Sequence, residues 1–474
     1  RSPPCRRRSS VDVLTLSRIQ FALTISFHFI FPAVTIGLAG FIAIVETFRW
    51  WTKQDVYDRL AVFLTKLFAV TFVIGVVTGV VMEFQFGTNW SRFSGYVGDI
   101  FGAPLAAEGI FAFFLESAFV GIVLFGRDRV SSTVRWIAGL MVFLGTTLSA
   151  FWILAANSWM QTPDGFKIVT DANGVPKAQL VDFFKATLNP STLARFAHTV
   201  SACWVAGAFF LMGIAAWYIL RGRHSDVTRF ALRLSVVVAF LGAAAMFATG
   251  DLQTREVQAN QPLKFAAMEG ICQTERGAPL TIIALPPSQS CTSNAGGLGI
   301  PNGLSAMSML DLNGEIKGLN QEPDTSLWPP VATTFMSFHL MVGLGMAMML
   351  LMLIGAFYLL RGTLEKRRWW LKLAVLAIPL PIAAVELGWM TAEVGRQPWI
   401  VQGLLKTSQG TSPGVTAGDV AVSLVAILLL YGLLFGLWIY SLTKEIRRGP
   451  ETGPAETGAV VADAAATDSP AGGH

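Results

Sequence analysis

Long apolar runs recur along the chain, each closed by a short cluster of charges. Nine of them reach the roughly 20 residues that a helix needs to cross a bilayer. They lie at approximately 17–48, 60–84, 105–126, 135–157, 194–220, 230–250, 330–360, 369–394 and 418–442. The pattern predicts an all-α integral membrane protein with nine transmembrane helices. Several runs exceed the minimum, which predicts tilt or protrusion beyond the lipid. The longest polar interruption, 251–329, divides helices 1–6 (11–250) from helices 7–9 (330–448). A tail at 449–474, rich in Ala, Gly and Pro, is expected to be disordered. No internal repeat stands out.

The charges orient these runs. RWWTKQDVYDR, FGRDRVSSTVR, LRGRHSDVTR, LRGTLEKRRWWLK and TKEIRRG are short and basic, so they are expected to face the cytoplasm. FGTNWSRFSGYVGD and the segments 158–192, 251–329 and 395–417 then face outward, with the N-terminus outside and the C-terminus inside. The stretch RSPPCRRRSS carries four arginines and would prefer the inside. Five basic loops outweigh it, and residues 1–10 are set apart as an N-terminal extension. The first span doubles as an insertion signal, so no cleavable signal peptide is expected.

Composition agrees. Of 474 residues, 53% are hydrophobic and 14% charged, whereas soluble domains carry about 25% charge. The net charge of +5 sits in loops flanking helices, a topological pattern, so no nucleic-acid partner is expected. Thirty-four Phe and fourteen Trp suit lipid contact, interfacial belts and flat cofactors. Cys203 lies in a span, where packing explains it, and Cys5 lies in the extension. Cys272 and Cys291 share the long outer segment, where thiols can oxidise. A bridge would close a loop of about twenty residues and contribute about 3 kcal/mol in the chain-entropy model; two free thiols are the alternative. No CxxCH occurs, which excludes covalent c-type heme attachment to this chain.

Five ionisable groups interrupt the spans: His28, His198, His339, Glu116 and Glu386. A charge at bilayer depth costs about 2.5–3.5 kcal/mol on insertion scales, so each is a candidate for function. Taken singly, each has an ordinary reading. A histidine can bond a carbonyl, Met341 can pack in its Met-rich span, and Glu108 can be a helix N-terminal carboxylate. Glu83 and Glu393 can be interfacial and solvated. Depth separates the readings. At 1.5 Å per residue, His28, His198, Met341, Glu386 and Glu108 all fall in the outer half, with Glu108 opening the third span and Glu116 about 12 Å deeper. Glu386 and Glu393, seven apart, share a face. Glu108 and Glu116, eight apart, differ in direction by about 80° and can follow one cavity wall. His and Met together suit a low-spin heme, and intramembrane glutamates can carry protons. A proton or metal-ion transporter is the competing class.

The segments LSRIQFALTISFHFIFPAVTIGLA, MEFQFGTNWSRFSGYVGDIFGAPLAAEG, AFFLESAFVG and GWMTAEVGRQPW resemble those of subunit I of the cytochrome bd-type quinol oxidases, from about Val11 to Arg448. The resemblance implies a terminal oxidase of the bacterial cytoplasmic membrane. It would oxidise ubiquinol or menaquinol at the outer face and reduce O2 to water with cytoplasmic protons. A proton motive force would arise without pumping. It implies three cofactors: heme b (low-spin, b558-type), heme b (high-spin, b595-type) and heme d. His28 would be an axial ligand at the oxygen-reducing end, Glu108 a ligand or proton acceptor there, Glu116 part of the proton route, and Glu386 a ligand of one of the adjacent hemes. His198 and Met341 would ligate the low-spin heme. Arg396 of GRQPW, and Arg18, would interact with heme propionates or help set heme potential. The 251–329 segment would be the quinol-binding loop, with Lys264 and Glu269 of KFAAMEG as a carboxylate beside a cation that accepts quinol protons. A second subunit forming a heterodimer, a small single-span subunit and membrane lipid are the implied partners. Two features depart from the pattern. His339 stands where many members have Arg, which leaves it as a neighbour that tunes potential or a rival ligand. The outer loop is the shorter version, which leaves open an all-b-type set as in the cyanide-insensitive relatives.

Overall fold

The computed structural model describes residues 12–126, 129–171 and 174–450. The extension 1–10, with Cys5, and the tail from 451 lie outside the described residues. Among the described residues nine helices are long and apolar enough to cross a membrane. They are α1 (Val13–Thr52), α2 (Asp55–Thr88), α3 (Ser91–Phe125), α4 (Ser132–Gln161), α5 (Thr192–Leu220), α6 (Asp226–Asn260), α7 (Val331–Leu360), α8 (Arg368–Val394) and α9 (Ala417–Arg448).

Helices α1 and α5 form the centre of the bundle. In their most apolar stretches 72% and 83% of residues are buried, against 11% in α9, which is left on the outside. The two cross where Gly37 meets Gly207; a Cβ on Gly207 would lie 2.7 Å from the Gly37 Cα. Bare backbones allow that approach, and a larger side chain there would force the helices apart. Around the crossing, α2 and α4 pack on α1 and α6 packs on α5, over a core that includes Phe31, Phe41, Phe209 and Trp370. At the end that carries the basic loops, Arg135 bonds Glu46 at 2.7 Å and Asp58 at 2.6 Å, while Arg49 bonds Glu46 at 2.6 Å. Glu46 is fully buried, so this cluster ties α1, α2 and α4 together. Removing one member of such a buried set costs roughly 3–5 kcal/mol.

Three helices depart from prediction in ways that bear on the site. The third span begins at Ser91, not near 105. Phe93, Tyr96, Val97 and Ile100 recur at helical spacing and bury against Trp159 and the ribbon β1 (Phe166–Thr170)–β2 (Pro176–Leu180). The Ser, Gly and Asp residues on the other face give this amphipathic stretch the composition of a loop. Next, α6 runs to Asn260, about ten residues beyond its apolar stretch. Finally, α8 breaks between Leu376 and Leu380, where Pro379 and Pro381 supply no backbone N–H.

The 251–329 segment continues from α6 into a short helix, Pro262–Glu269, capped by Gly270 at φ 71°. It then forms two ribbons, β3 (Glu275–Arg276) with β6 (Glu315–Ile316) and β4 (Leu280–Ala284) with β5 (Gly297–Ile300). Cys272 and Cys291 are joined as a disulfide, their Cα atoms 5.1 Å apart, within a small core that includes Phe265, Ile271 and Ile316. A last ribbon, β7 (Trp399–Val401) with β8 (Leu405–Lys406), follows α8 at the same end of the bundle.

Candidate functional site

A cavity of about 1420 Å3 opens at this end and reaches from α1–α3 to α7–α8. Ordinary ligand pockets measure roughly 300–1,000 Å3, so the space exceeds what one small molecule needs. His28, Glu108, Glu116, His198, Met341, Lys264, Glu269, Arg396 and Arg18 all line it. Arg18 is exposed at the rim. Glu386 is not among the lining residues.

Local geometry explains how the two candidate histidines are presented. Pro32 lies four residues after His28 in α1. Its ring supplies no N–H to the His28 carbonyl, so the helix opens at that turn. The His28 Nδ1 lies 2.9 Å from Thr78 Oγ1 on α2. A Cβ on the next residue, Gly79, would stand 3.2 Å from the His28 Cε1. His198 on α5 repeats the arrangement. Its Nδ1 lies 3.2 Å from Thr249 Oγ1 on α6, and a Cβ on Gly250 would stand 3.3 Å from its Cε1. Met341 likewise backs onto a glycine, since a Cβ on Gly388 would come within 2.8 Å of its Sδ. His339 is held differently. Its Nδ1 faces the Phe335 carbonyl at 3.0 Å and its Nε2 the Thr281 carbonyl at 3.2 Å, so each nitrogen is turned to the backbone.

The carboxylates stand on two helices. Glu108 is mid-helix, seventeen residues after α3 begins, so it is not the helix N-terminal carboxylate considered from sequence. It opens a π-helical stretch, Glu108–Phe113, that follows Pro104. A π turn holds about one residue more than an α turn, which alters the 80° offset expected for Glu108 and Glu116 and brings both to the cavity. Ser149 Oγ donates to Glu108 Oε1 at 2.7 Å. Glu116 packs on Gly145, where a Cβ would lie 2.7 Å from its Cγ. Glu386 sits on α8 beside Ser26; both its carboxylate oxygens are buried without a hydrogen-bond partner among the described residues.

A polar wall closes the loop side. Lys264 and Glu269 are each 3% exposed, so neither is a solvated loop residue. They do not form the expected pair. Five residues apart on one short helix, they point in different directions, and Lys264 Nζ donates instead to Gln161 Oε1 at 2.5 Å and Gln261 Oε1 at 2.7 Å. Burial, then the neighbouring Arg195 and Arg396, hold the Lys264 ammonium well below its usual value. Burial pushes the Glu269 carboxyl up to about 8. Gln161 Nε2 reaches Glu393 Oε1 at 3.2 Å, and Arg396 pairs with the same carboxylate. Glu393 is only 15% exposed, which corrects its reading as solvated. Asn157 bridges Glu393 at 3.0 Å to Arg195.

Arg195 is the residue that sequence reasoning passed over. It lies one helical turn before His198 in ARFAHT, a placement that puts both on one face. Its Nε, and the Nε and Nη1 of Arg396, are buried with no partner among the described residues. Buried N–H groups of this kind cost about 1–3 kcal/mol each unless an acceptor meets them. An orphaned carboxylate at Glu386 costs more. The spare guanidinium donors suit carboxylates of a macrocycle, and the Glu386 oxygens suit a cation. Among the described residues no three His, Cys, Asp or Glu gather to hold a bare metal ion. The residue set therefore fits the hemes that the sequence motifs imply.

Comparison with known proteins agrees with this arrangement. The family model for cytochrome bd terminal oxidase subunit I matches residues 16–450. The chain is 37% identical to cytochrome bd ubiquinol oxidase subunit 1 of Bacillus subtilis (strain 168), over 92% of this chain and 94% of that protein. It is 38% identical to cytochrome bd-II ubiquinol oxidase subunit 1 of Escherichia coli (strain K12), over 93% and 97%. A putative cytochrome bd menaquinol oxidase subunit I of Bacillus subtilis (strain 168) shares 32% identity, over 93% and 98%. The solved bd oxidase from Geobacillus thermodenitrificans superposes with a TM-score of 0.84 at 32% identity, over 93% of this chain and 99% of that one. By sequence, by fold and by the residues that line its cavity, the chain belongs to the cytochrome bd terminal oxidase subunit I family.

Proposed function

We propose that this multi-pass bacterial membrane protein is the heme-bearing subunit of a quinol:oxygen oxidoreductase. The single observation that carries the reading is the one cavity shared by His28, His198, Met341, Glu108, Glu116, Lys264 and Glu269. His198 and Met341 would hold a low-spin heme b, and the spare N–H groups of Arg195 and Arg396 would meet its propionates. His28, Glu108 and Glu386 would serve a second pair, a high-spin heme b with heme d. When bound, these groups supply one-electron transfer and the place where O2 is reduced.

The chain's own residues manage the protons. Two quinols release four electrons and four protons, and one O2 takes up four of each to give two waters. Glu269, at the loop end, is the acceptor for quinol protons, and Lys264, oriented by its hydrogen bonds to Gln161 and Gln261, is the donor to the quinol oxygen. Glu116 and Glu108 are the donors to the oxygen site. With the basic loops inside, quinol protons leave outside and water protons come from the cytoplasm, so charge separates without a pump. A partner subunit completes the inward proton path. The family names span ubiquinol and menaquinol, and the shared part, a two-electron quinol, is the substrate class proposed here.

Oxygen uptake driven by a reduced quinol, in the assembled oxidase, tests the function; absence of uptake would restore the transporter reading. Glu269 gives a sharper outcome. Its carboxyl, raised to about 8 by burial, is protonated below that pH and cannot accept. Quinol oxidation should therefore climb as pH rises through about 8, and Glu269→Gln should flatten the profile. General-base transfer is worth roughly 10²–10⁴-fold, so the variant should lose at least about 10²-fold in turnover with heme content unchanged. Lys264→Ala should also slow turnover while leaving the hemes in place. Unaltered turnover in both variants would remove the loop from the quinol site.

A further inference from the structure

We propose that Thr78 and Thr249 are positioning residues, each fixing, together with a backbone carbonyl of its own helix, the tautomer and ring plane of one candidate histidine ligand. The proposal rests on the reading of His28 and His198 as heme ligands and deepens it.

A threonine hydroxyl has one proton. Thr249 Oγ1 gives its proton to the Ala245 carbonyl at 2.8 Å, one turn back in α6, with Met246 O at 3.3 Å. Toward His198 Nδ1, 3.2 Å away, the oxygen then accepts, and the Met246 carbonyl faces the same imidazole. With both acceptors beside it Nδ1 carries the hydrogen, and the lone pair resides on Nε2. Thr78 is built the same way. Its hydroxyl donates to the Ile74 or Gly75 carbonyl, both at 3.0 Å, and accepts from His28 Nδ1 at 2.9 Å.

The residue after each threonine is glycine. In both cases it bares the helix backbone under the histidine Cε1, where a Cβ would crowd the ring at 3.2 or 3.3 Å. Two consecutive residues therefore grip two adjacent ring atoms and leave the opposite nitrogen for the cavity. The device occurs on separate helix pairs, α1–α2 and α5–α6, at chain separations of 50 and 51 residues. His339, which also lines the cavity, has no such grip and turns both nitrogens to backbone carbonyls. The grip thus distinguishes the two histidines with a nitrogen to spare from the one without.

The chemical consequence is directional. An acceptor on Nδ1–H makes the imidazole a stronger donor through Nε2, which favours the oxidised iron. Removing that acceptor should raise the midpoint potential. Second-sphere partners of this kind are worth roughly 10–100-fold in metal affinity.

The test uses the assembled oxidase with Thr249→Val, which keeps the shape and removes the hydroxyl, and Thr249→Ser, which keeps the hydroxyl. Potentiometric titration of the low-spin heme should show an upward shift in Thr249→Val and the parent value in Thr249→Ser. Heme transfer to an excess of apo-globin should be about 10–100-fold faster in Thr249→Val alone. Loss of heme in Thr249→Val with retention in Thr249→Ser also supports the proposal. An unshifted potential in Thr249→Val, or equal loss of heme in both variants, overturns it. His198→Ala, run in parallel, keeps the two ideas apart. If that variant retains the low-spin band, the ligand assignment itself fails; if it loses the band while Thr249→Val matches the parent, only the threonine role fails.

Discussion

Replacing His198 with alanine should abolish the low-spin heme b band and, with it, the reduction of the enzyme by quinol. His198 lines the same cavity as Met341, and its Nδ1 is already engaged by Thr249, so Nε2 is the only nitrogen it can offer. A thioether alone is a weak ligand. Since a lost second-sphere contact costs roughly 10–100-fold in metal affinity, loss of the ligand itself should exceed that and leave the site empty at ordinary concentrations. The measurement is the reduced-minus-oxidised spectrum of the variant. A low-spin band at parental intensity would assign the ligand elsewhere.

The second large effect is expected at His28. His28→Ala should leave the His198/Met341 heme in place and still reducible by quinol, yet bring oxygen consumption down to background. The two histidines lie on different helices, α1 and α5, and are held by different neighbours, α2 and α6. Each can therefore be removed without stripping the other's support. Stopped-flow reduction of the low-spin heme, set beside oxygen-electrode traces, separates the two steps. Parental oxygen uptake in His28→Ala would refute its place at the oxygen end, and loss of both signals would mean that the sites are not independent.

Much of this was legible in the chain. Period, length and Lys/Arg bias gave nine helices, because a bilayer demands about 20 apolar residues for every crossing. The candidate ligands stood out because ionisable groups in such runs are costly. What stayed hidden had physical causes. The start of α3 reads as a loop because Ser94, Gly95 and Asp99 on its other face alternate with the apolar residues, which bury against Trp159 and β1–β2. The π turn at Glu108 follows no simple period. Lys264 and Glu269 look like an ion pair because they share a short motif, but Lys264 bonds Gln161 on α4, 103 residues away, and Gln261. Thr78 and Thr249 carry no charge and sit in ordinary apolar helices. Their role is visible only when a histidine 50 or 51 residues earlier is laid against them.

The central claim is that this bundle grips iron macrocycles with side chains gathered around one cavity. It is tested most directly by a dithionite-reduced minus air-oxidised absorption spectrum of the purified chain, properly assembled with its second subunit. Bands of low-spin and high-spin b-type heme are expected, with a further red band where heme d is the third group. A folded, assembled complex with no visible absorbance would contradict the claim outright.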